Sequence, residues 1–156
     1  MTGNGAHIPR NTRHVLFACT HNAIRSPIAA ALGQHLFGDS VQFGSVGVRA
    51  ADTNPFAIAI MAELGIDLTS HEPRNFSDLE DDPCDLIISL TPEAQHHAVE
   101  LTRSGDCEAL YWPTLDPSLA HGNRNTILEA FRDVRDGLAD RINDQFGTED
   151  GNDQNQ

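Results

Sequence analysis

The segment Cys19-Thr20-His21-Asn22-Ala23-Ile24-Arg25-Ser26-Pro27 brings a thiol, a guanidinium and a hydroxyl into one turn between an apolar run and a helical pattern. A loop that winds onto a helix N-terminus turns several backbone N–H groups inward, and the helix dipole adds roughly half a positive charge. That cradle suits a dianion of phosphate shape. Arg25 would add a planar fork able to grip two oxygens at once. The same positive field favours the thiolate of Cys19, the form that attacks. Ser26 could donate a hydrogen bond to that thiolate and help it depart later. Thr20, His21, Asn22, Ala23, Ile24 and Ser26 are the expected substrate-binding residues of the loop.

A thiolate that attacks phosphorus needs an acid for the leaving oxygen, and a positioned carboxyl is worth ~10²–10⁴ in rate. Asp116, in Trp112-Pro-Thr-Leu-Asp116-Pro117, follows the last strand-like run and is the candidate. Blander readings exist for both residues. A lone cysteine at a strand end is commonly a small core residue, and Asp-Pro alone is a turn signal. The Cys-x5-Arg-Ser spacing at a helix start, with a carboxylate beyond the last strand, favours chemistry over either.

These residues need elements to hold them. His14 to Cys19 reads as a buried strand, and 26–37 as a helix with Ser26 as N-cap and Pro27 at its first position. Val41 to Val48 reads as a second strand, and Asn54-Pro55 opens a helix that stops at Gly65. Asp85 to Leu90 is the third strand, with Thr91-Pro92-Glu93 capping the next helix. Glu108 to Trp112 is a fourth strand, and an amphipathic helix spans 122–144. Strands alternating with helices predict an α/β domain: a four-stranded parallel sheet with helices on both faces, three layers in all. Ligands of such sheets bind beyond the carboxyl ends of the strands. That rule puts both the cysteine loop and Asp116 on the functional edge.

The rest of the chain narrows the function. Its 156 residues fit one domain over 14–146, with a flexible lead-in at 1–13 and a disordered acidic tail at 147–156. The net charge is −13 and all ten basic residues are arginine, a balance that repels nucleic acid and anionic lipid. No apolar run approaches the ~18–20 residues that cross a bilayer, and the first residues carry no secretory signal. The expected compartment is the cytoplasm. Three cysteines, an odd number, argue against a disulfide framework. Cys19, Cys84 and Cys107 lack zinc spacing, and adjacent His96-His97 face different ways on a helix. No metal and no cofactor are expected.

The stretch VLFACTHNAIRSP resembles the active-site signature of the low-molecular-weight protein tyrosine phosphatases, whose wider family includes thioredoxin-coupled arsenate reductases. Phe43-Gly-Ser45-Val-Gly47, the run 54–76 with its Gly-Ile-Asp-x-x-x-His pattern, and Trp112 with Asp116-Pro117 extend the likeness in order over roughly 14–144. The resemblance implies a phosphatase that hydrolyses a phosphomonoester, phosphotyrosine protein foremost, through a cysteinyl-phosphate. It also implies that Asn22 holds the loop in a left-handed conformation and that Ser45 braces Asn22. Two alternatives stand beside it: a single-cysteine arsenate reductase using an external thiol, and a non-catalytic anion-sensing module.

The sequence also departs from the family. His21 replaces a usual glycine, and Ile24 stands where many members have a second cysteine. Arg49-Ala-Ala-Asp52 and Ser118-Leu119 replace the aromatic pocket walls of tyrosine-specific members. Members that act on phosphoarginine carry threonine where this chain has Ala23. Thioredoxin-coupled reductases need two cysteines around the helix after the third strand, and Ser89 to Val99 contains none.

Overall fold

The computed structural model describes residues 13–79, 84–103, 105 and 107–147. The expected lead-in and tail, apart from Arg13 and Gly147, lie outside those residues. Four parallel strands form one sheet: β1 (His14–Cys19), β2 (Gln42–Gly47), β3 (Leu86–Ser89) and β4 (Glu108–Tyr111), in the order β2-β1-β3-β4. The helices are α1 (Arg25–Phe37), α2 (Pro55–Ala62), α3 (Pro92–Arg103) and α4 (Arg124–Ile142), which runs into a wide turn at Asn143–Gly147.

The apolar run of β1 is buried on both faces because it has a strand on each side and helices above and below. Val15, Phe17 and Cys19 face a core shared with α1, α2 and α4; Leu16 and Ala18 face a smaller one under α3. Three layers result, as the alternation of elements predicts. Gly33 of α1 lets the helix sit directly on Phe43, since a Cβ there would lie 2.6 Å from the ring. Phe43 in turn stacks on Phe17, with ring centroids 6.2 Å apart.

Helix starts follow sequence rules where local chemistry decides them. The Asn54 side chain accepts from Phe56 N at 2.8 Å, and Thr91 Oγ1 accepts from Ala94 N at 3.1 Å. Gly65, with φ +76°, closes the turn after α2. α1 is the exception: it begins at Arg25, Ile24 occupies the cap without a side-chain hydrogen bond, and Ser26 lies inside the first turn. Ser26 is therefore not the cap, and its hydroxyl meets Cys19, Asn22 and Val46 instead.

Topology sets where a ligand can go. After β1 the chain crosses to β2 on one side, and after β3 it crosses to β4 on the other. The carboxyl ends of β1 and β3 thus flank a switch point, where open α/β sheets leave a crevice. Thr20 Oγ1 and Thr91 Oγ1 meet across it at 3.2 Å. Among the described residues no helix is long and apolar enough to cross a membrane.

Candidate active site

The loop 20–24 is shaped from outside. The carbonyls of Cys19, Thr20, His21 and Ala23 accept from Val48, Arg49, Ala51 and Asn54 N–H groups at 2.8–3.0 Å. The Asn22 carbonyl lies 3.2 Å from His71 Nε2, and that of Ile24 takes the N–H of Ile28. Every carbonyl from 19 to 24 is therefore committed to a neighbour. Among the described residues no main-chain acceptor takes the N–H groups of Thr20 to Ile24. Such an array of unpaired amides at a helix start is an anion nest.

Asn22 is the loop's pin. It is fully buried and holds φ +54°, a left-handed conformation that asparagine tolerates better than most residues. Its Nδ2 donates to Ser26 Oγ at 2.8 Å and to Ser45 Oγ at 3.0 Å. Its Oδ1 accepts from Arg74 N at 2.9 Å. Arg74 also donates from Nε to the Ser45 carbonyl at 2.9 Å. Gly47 passes so close that an added Cβ would meet the Arg49 carbonyl and lie 2.6 Å from Asn22 N. The Ser-x-Gly stretch is thus a steric requirement of the loop.

Cys19 is buried beside this nest, its Sγ 3.0 Å from Ser26 Oγ and 3.4 Å from Ser26 N. Ser26 Oγ accepts from Asn22, so its single proton can go to Cys19 Sγ or to the Val46 carbonyl 3.3 Å away. A sulfur carrying negative charge would draw that proton toward itself.

The facing wall comes from the segment after β4. Trp112 N and Thr114 N donate to the Ser89 and Leu90 carbonyls, while Leu90 N donates to Ala18. This chain of bonds lays residues 112–116 beside the end of β1. Arg25 Nη1 donates to the Thr114 carbonyl at 2.9 Å, and Arg25 Nη2 lies 3.9 Å from Asp116 Oδ2. Partial burial pushes the Asp116 carboxyl up, but hydrogen bonds from Ser118 Oγ (2.7 Å) and Ser118 N (2.9 Å), with Arg25 and His21 nearby, outweigh it and hold it below its ordinary value.

The structure brings Cys19, Ser26, Asn22 and Ser45 into one hydrogen-bonded network, while Arg25, next to Ser26 in the chain, reaches Thr114 and Asp116. Of the remaining expected residues, Ile24 packs against the core, so it can offer an anion in the loop only its amide, and His21 is exposed with its imidazole near enough to act on Asp116. Arg49 reaches Glu93 of α3 at 3.2 Å. Leu115 and Leu119 flank Asp116 as exposed aliphatic side chains, 85% and 70% accessible. Arg74 braces the loop through Asn22 and Ser45, and nothing in its local sequence marks it for that role. His71, the last residue of the Gly-Ile-Asp-x-x-x-His pattern, meets the Asn22 carbonyl. Burial pushes its imidazole below the ordinary value, against the opposing effect of the Asn22 carbonyl. Among the described residues no group of acidic, histidine and cysteine side chains could hold a metal.

This geometry defines a parallel α/β protein with a cysteine-headed anion loop at its switch point. The low molecular weight phosphotyrosine protein phosphatase family matches residues 14–144, and the chain belongs to that family. It is 30% identical over 134 residues to an arsenate reductase of Halalkalibacterium halodurans, covering 85% of this chain and 94% of that one. Among solved structures it is similar to the YwlE arginine phosphatase of Geobacillus stearothermophilus, at TM-score 0.73 and 25% identity, covering 91% and 95%. It is also similar to an arsenate reductase in the phosphate-binding state, at TM-score 0.66 and 26% identity, covering 87% and 98%. The family is enzymatic, and its members here include both phosphatases and arsenate reductases.

Proposed function

We propose that the chain is a cysteine-dependent phosphatase that hydrolyses phosphomonoesters, phosphotyrosine protein foremost, with Cys19 as nucleophile, Arg25 as clamp and Asp116 as general acid. The observation that carries this reading is the outward commitment of every carbonyl from 19 to 24 around Cys19 Sγ. It leaves inward amides beside a sulfur and a guanidinium, with little else for them to bind but a tetrahedral anion.

The thiolate of Cys19 attacks phosphorus in line. The P–O bond to the leaving group breaks, and Asp116 gives that oxygen a proton. The loop amides and Arg25 hold the equatorial oxygens through the transition state. Asp116, now a carboxylate, takes a proton from water as it attacks the cysteinyl-phosphate. The P–S bond breaks, Ser26 Oγ supports the departing sulfur, and inorganic phosphate leaves. Leu115 and Leu119 at the rim would meet the apolar part of the substrate, where tyrosine-specific members use aromatic walls.

A second reading is arsenate reduction, favoured by the names of the curated relatives. Arsenate would enter the same nest and meet the same thiolate. An internal cysteine relay is not open to it. Asp85 N donates to the His14 carbonyl, so Cys84 lies at the amino end of β1 and Cys19 at the carboxyl end. Five residues of strand separate them by roughly 17 Å, whereas a disulfide needs Cα atoms within ~7 Å. The reductant would be an external thiol.

The test is turnover of p-nitrophenyl phosphate, phosphotyrosine, phosphoarginine and phosphoserine, beside arsenate with glutathione or mycothiol. Phosphoester hydrolysis that disappears in Cys19→Ser supports the phosphatase. Arsenate reduction without hydrolysis would replace it with the second reading. Phosphate binding without any turnover would leave an anion sensor.

A further inference from the structure

Cys84 and Cys107 stand just ahead of β3 and β4, at the sheet edge opposite the anion loop. The two strands pair in parallel with Leu86 opposite Glu108, and Glu108 N donates to the Asp85 carbonyl at 3.0 Å. Continued by one step, this register sets Cys107 against Asp85 and one position away from Cys84. A strand spacing of about 4.8 Å and a rise of about 3.3 Å then put their Cα atoms ~6 Å apart. That is the commonest separation for cysteines in a disulfide. The sulfurs themselves are 2.7 Å apart. Both side chains are partly exposed at the border of the core under α3, so a small oxidant can reach them.

We propose that Cys84 and Cys107 are a second, separate redox site: a dithiol that closes to an intramolecular disulfide with a low-molecular-weight disulfide such as oxidised glutathione as the oxidant. The inference goes beyond the phosphatase reading and does not depend on it. The thiolate of one cysteine attacks a glutathione sulfur, forming a mixed disulfide and releasing one glutathione. The other cysteine then attacks the protein sulfur of that mixed disulfide, releasing the second. In sum two protein thiols lose two electrons and two protons, and the oxidant becomes two thiols. The Cys84 hydrogen bond and then burial push the Cys107 thiol up.

The bond would tie the amino end of β4, which among the described residues has only β3 as a strand partner, to its neighbour. β4 leads directly into the segment bearing Thr114 and Asp116. Closing a loop of 23 residues restricts the unfolded chain, and for a domain of this size the expected rise in Tm is on the order of 5 °C.

The experiment uses full-length Cys19→Ser, which keeps only this pair of cysteines, so that no reaction at the anion loop is counted. After oxidised glutathione, thiol titration under denaturing conditions should fall from two to zero. Peptide mapping should give a crosslink between Cys84 and Cys107 with no glutathione mass, and Tm should rise until dithiothreitol reverses it. A stable glutathione adduct on either cysteine, or two persisting thiols, overturns the proposal. Adding Cys107→Ser should leave Cys84 as a glutathione adduct and abolish the rise in Tm; an undiminished rise would sink the assignment. Should that variant fail to fold, the crosslink map of the parent decides alone.

Discussion

Arg25 donates from Nη1 to the main-chain carbonyl of Thr114 at 2.9 Å. The guanidinium is thereby tied to the segment that carries Asp116, the proposed acid. Arg25 is only 13% exposed at its side chain, so the bond is shielded from water. An anion that takes the guanidinium must therefore rearrange it or share it with Thr114. The planar fork matters because it offers donors in two directions at once. Arg25→Lys keeps the charge but loses the second direction, and kcat/KM for p-nitrophenyl phosphate is expected to fall by ~10² or more. A value within threefold of wild type would mean that a point charge suffices.

Asp116 must hold a proton to act as an acid, yet Ser118 stabilises its ionised form through two hydrogen bonds. Ser118→Ala removes the hydroxyl donor and keeps the backbone one, so the Asp116 carboxyl should titrate at higher pH. The alkaline limb of the rate profile should then move to higher pH, because the protonated acid persists further. Steady-state rates across pH 4–8 would reveal the shift. Movement in the opposite direction would contradict the acid role.

Asn22 holds three side-chain hydrogen bonds and a left-handed backbone in a fully buried position. Asn22→Ala leaves Ser26, Ser45 and Arg74 N without that partner, and each lost buried bond costs ~1 kcal/mol or more. Stability should drop by ~2 kcal/mol or more, with kcat down at least ~10-fold because the nest loses its shape. Asn22→Gly relieves the backbone but not the hydrogen bonds, so its stability should fall between the two. Urea titration of all three proteins orders them.

The α2–α4 contact carries a pH signature of its own. Hydrogen bonds from Arg132 and then Arg135 pull the Glu63 carboxyl down to about 2 from 4.5. A carboxyl whose folded value is depressed stabilises the fold fully above its unfolded value and loses that effect as pH falls. Glu63→Gln should therefore lower Tm at pH 7, and the gap from wild type should close between pH 4.5 and about 2. A constant gap over that range would assign the effect to packing instead.

Much of this architecture is legible in the amino-acid order because it is set locally. Buried strands, the Asn54 cap and Gly65 stop, and the cysteine loop each follow from a few neighbouring residues. Ser26 marks where that logic ends. Its position ahead of an apolar helical pattern reads as a cap, but its hydroxyl meets Cys19 and Asn22 within the loop and the Val46 carbonyl of β2. Arg74 and the Cys84–Cys107 pair are hidden for the same reason. Their partners become neighbours only through strand order and register, and an odd cysteine count reads as no bridge at all.

Among the described residues the order β2-β1-β3-β4 gives the strand that ends at Cys19 two neighbours and the strand before Asp116 one. Rim strands open first when a sheet breathes. The earliest local opening should thus release Asp116, the proposed proton donor, while the sulfur stays embedded, producing a transient form able to bind phosphate but slow to expel a poor leaving group. Amide exchange should accordingly be faster across Glu108–Tyr111 than across His14–Cys19.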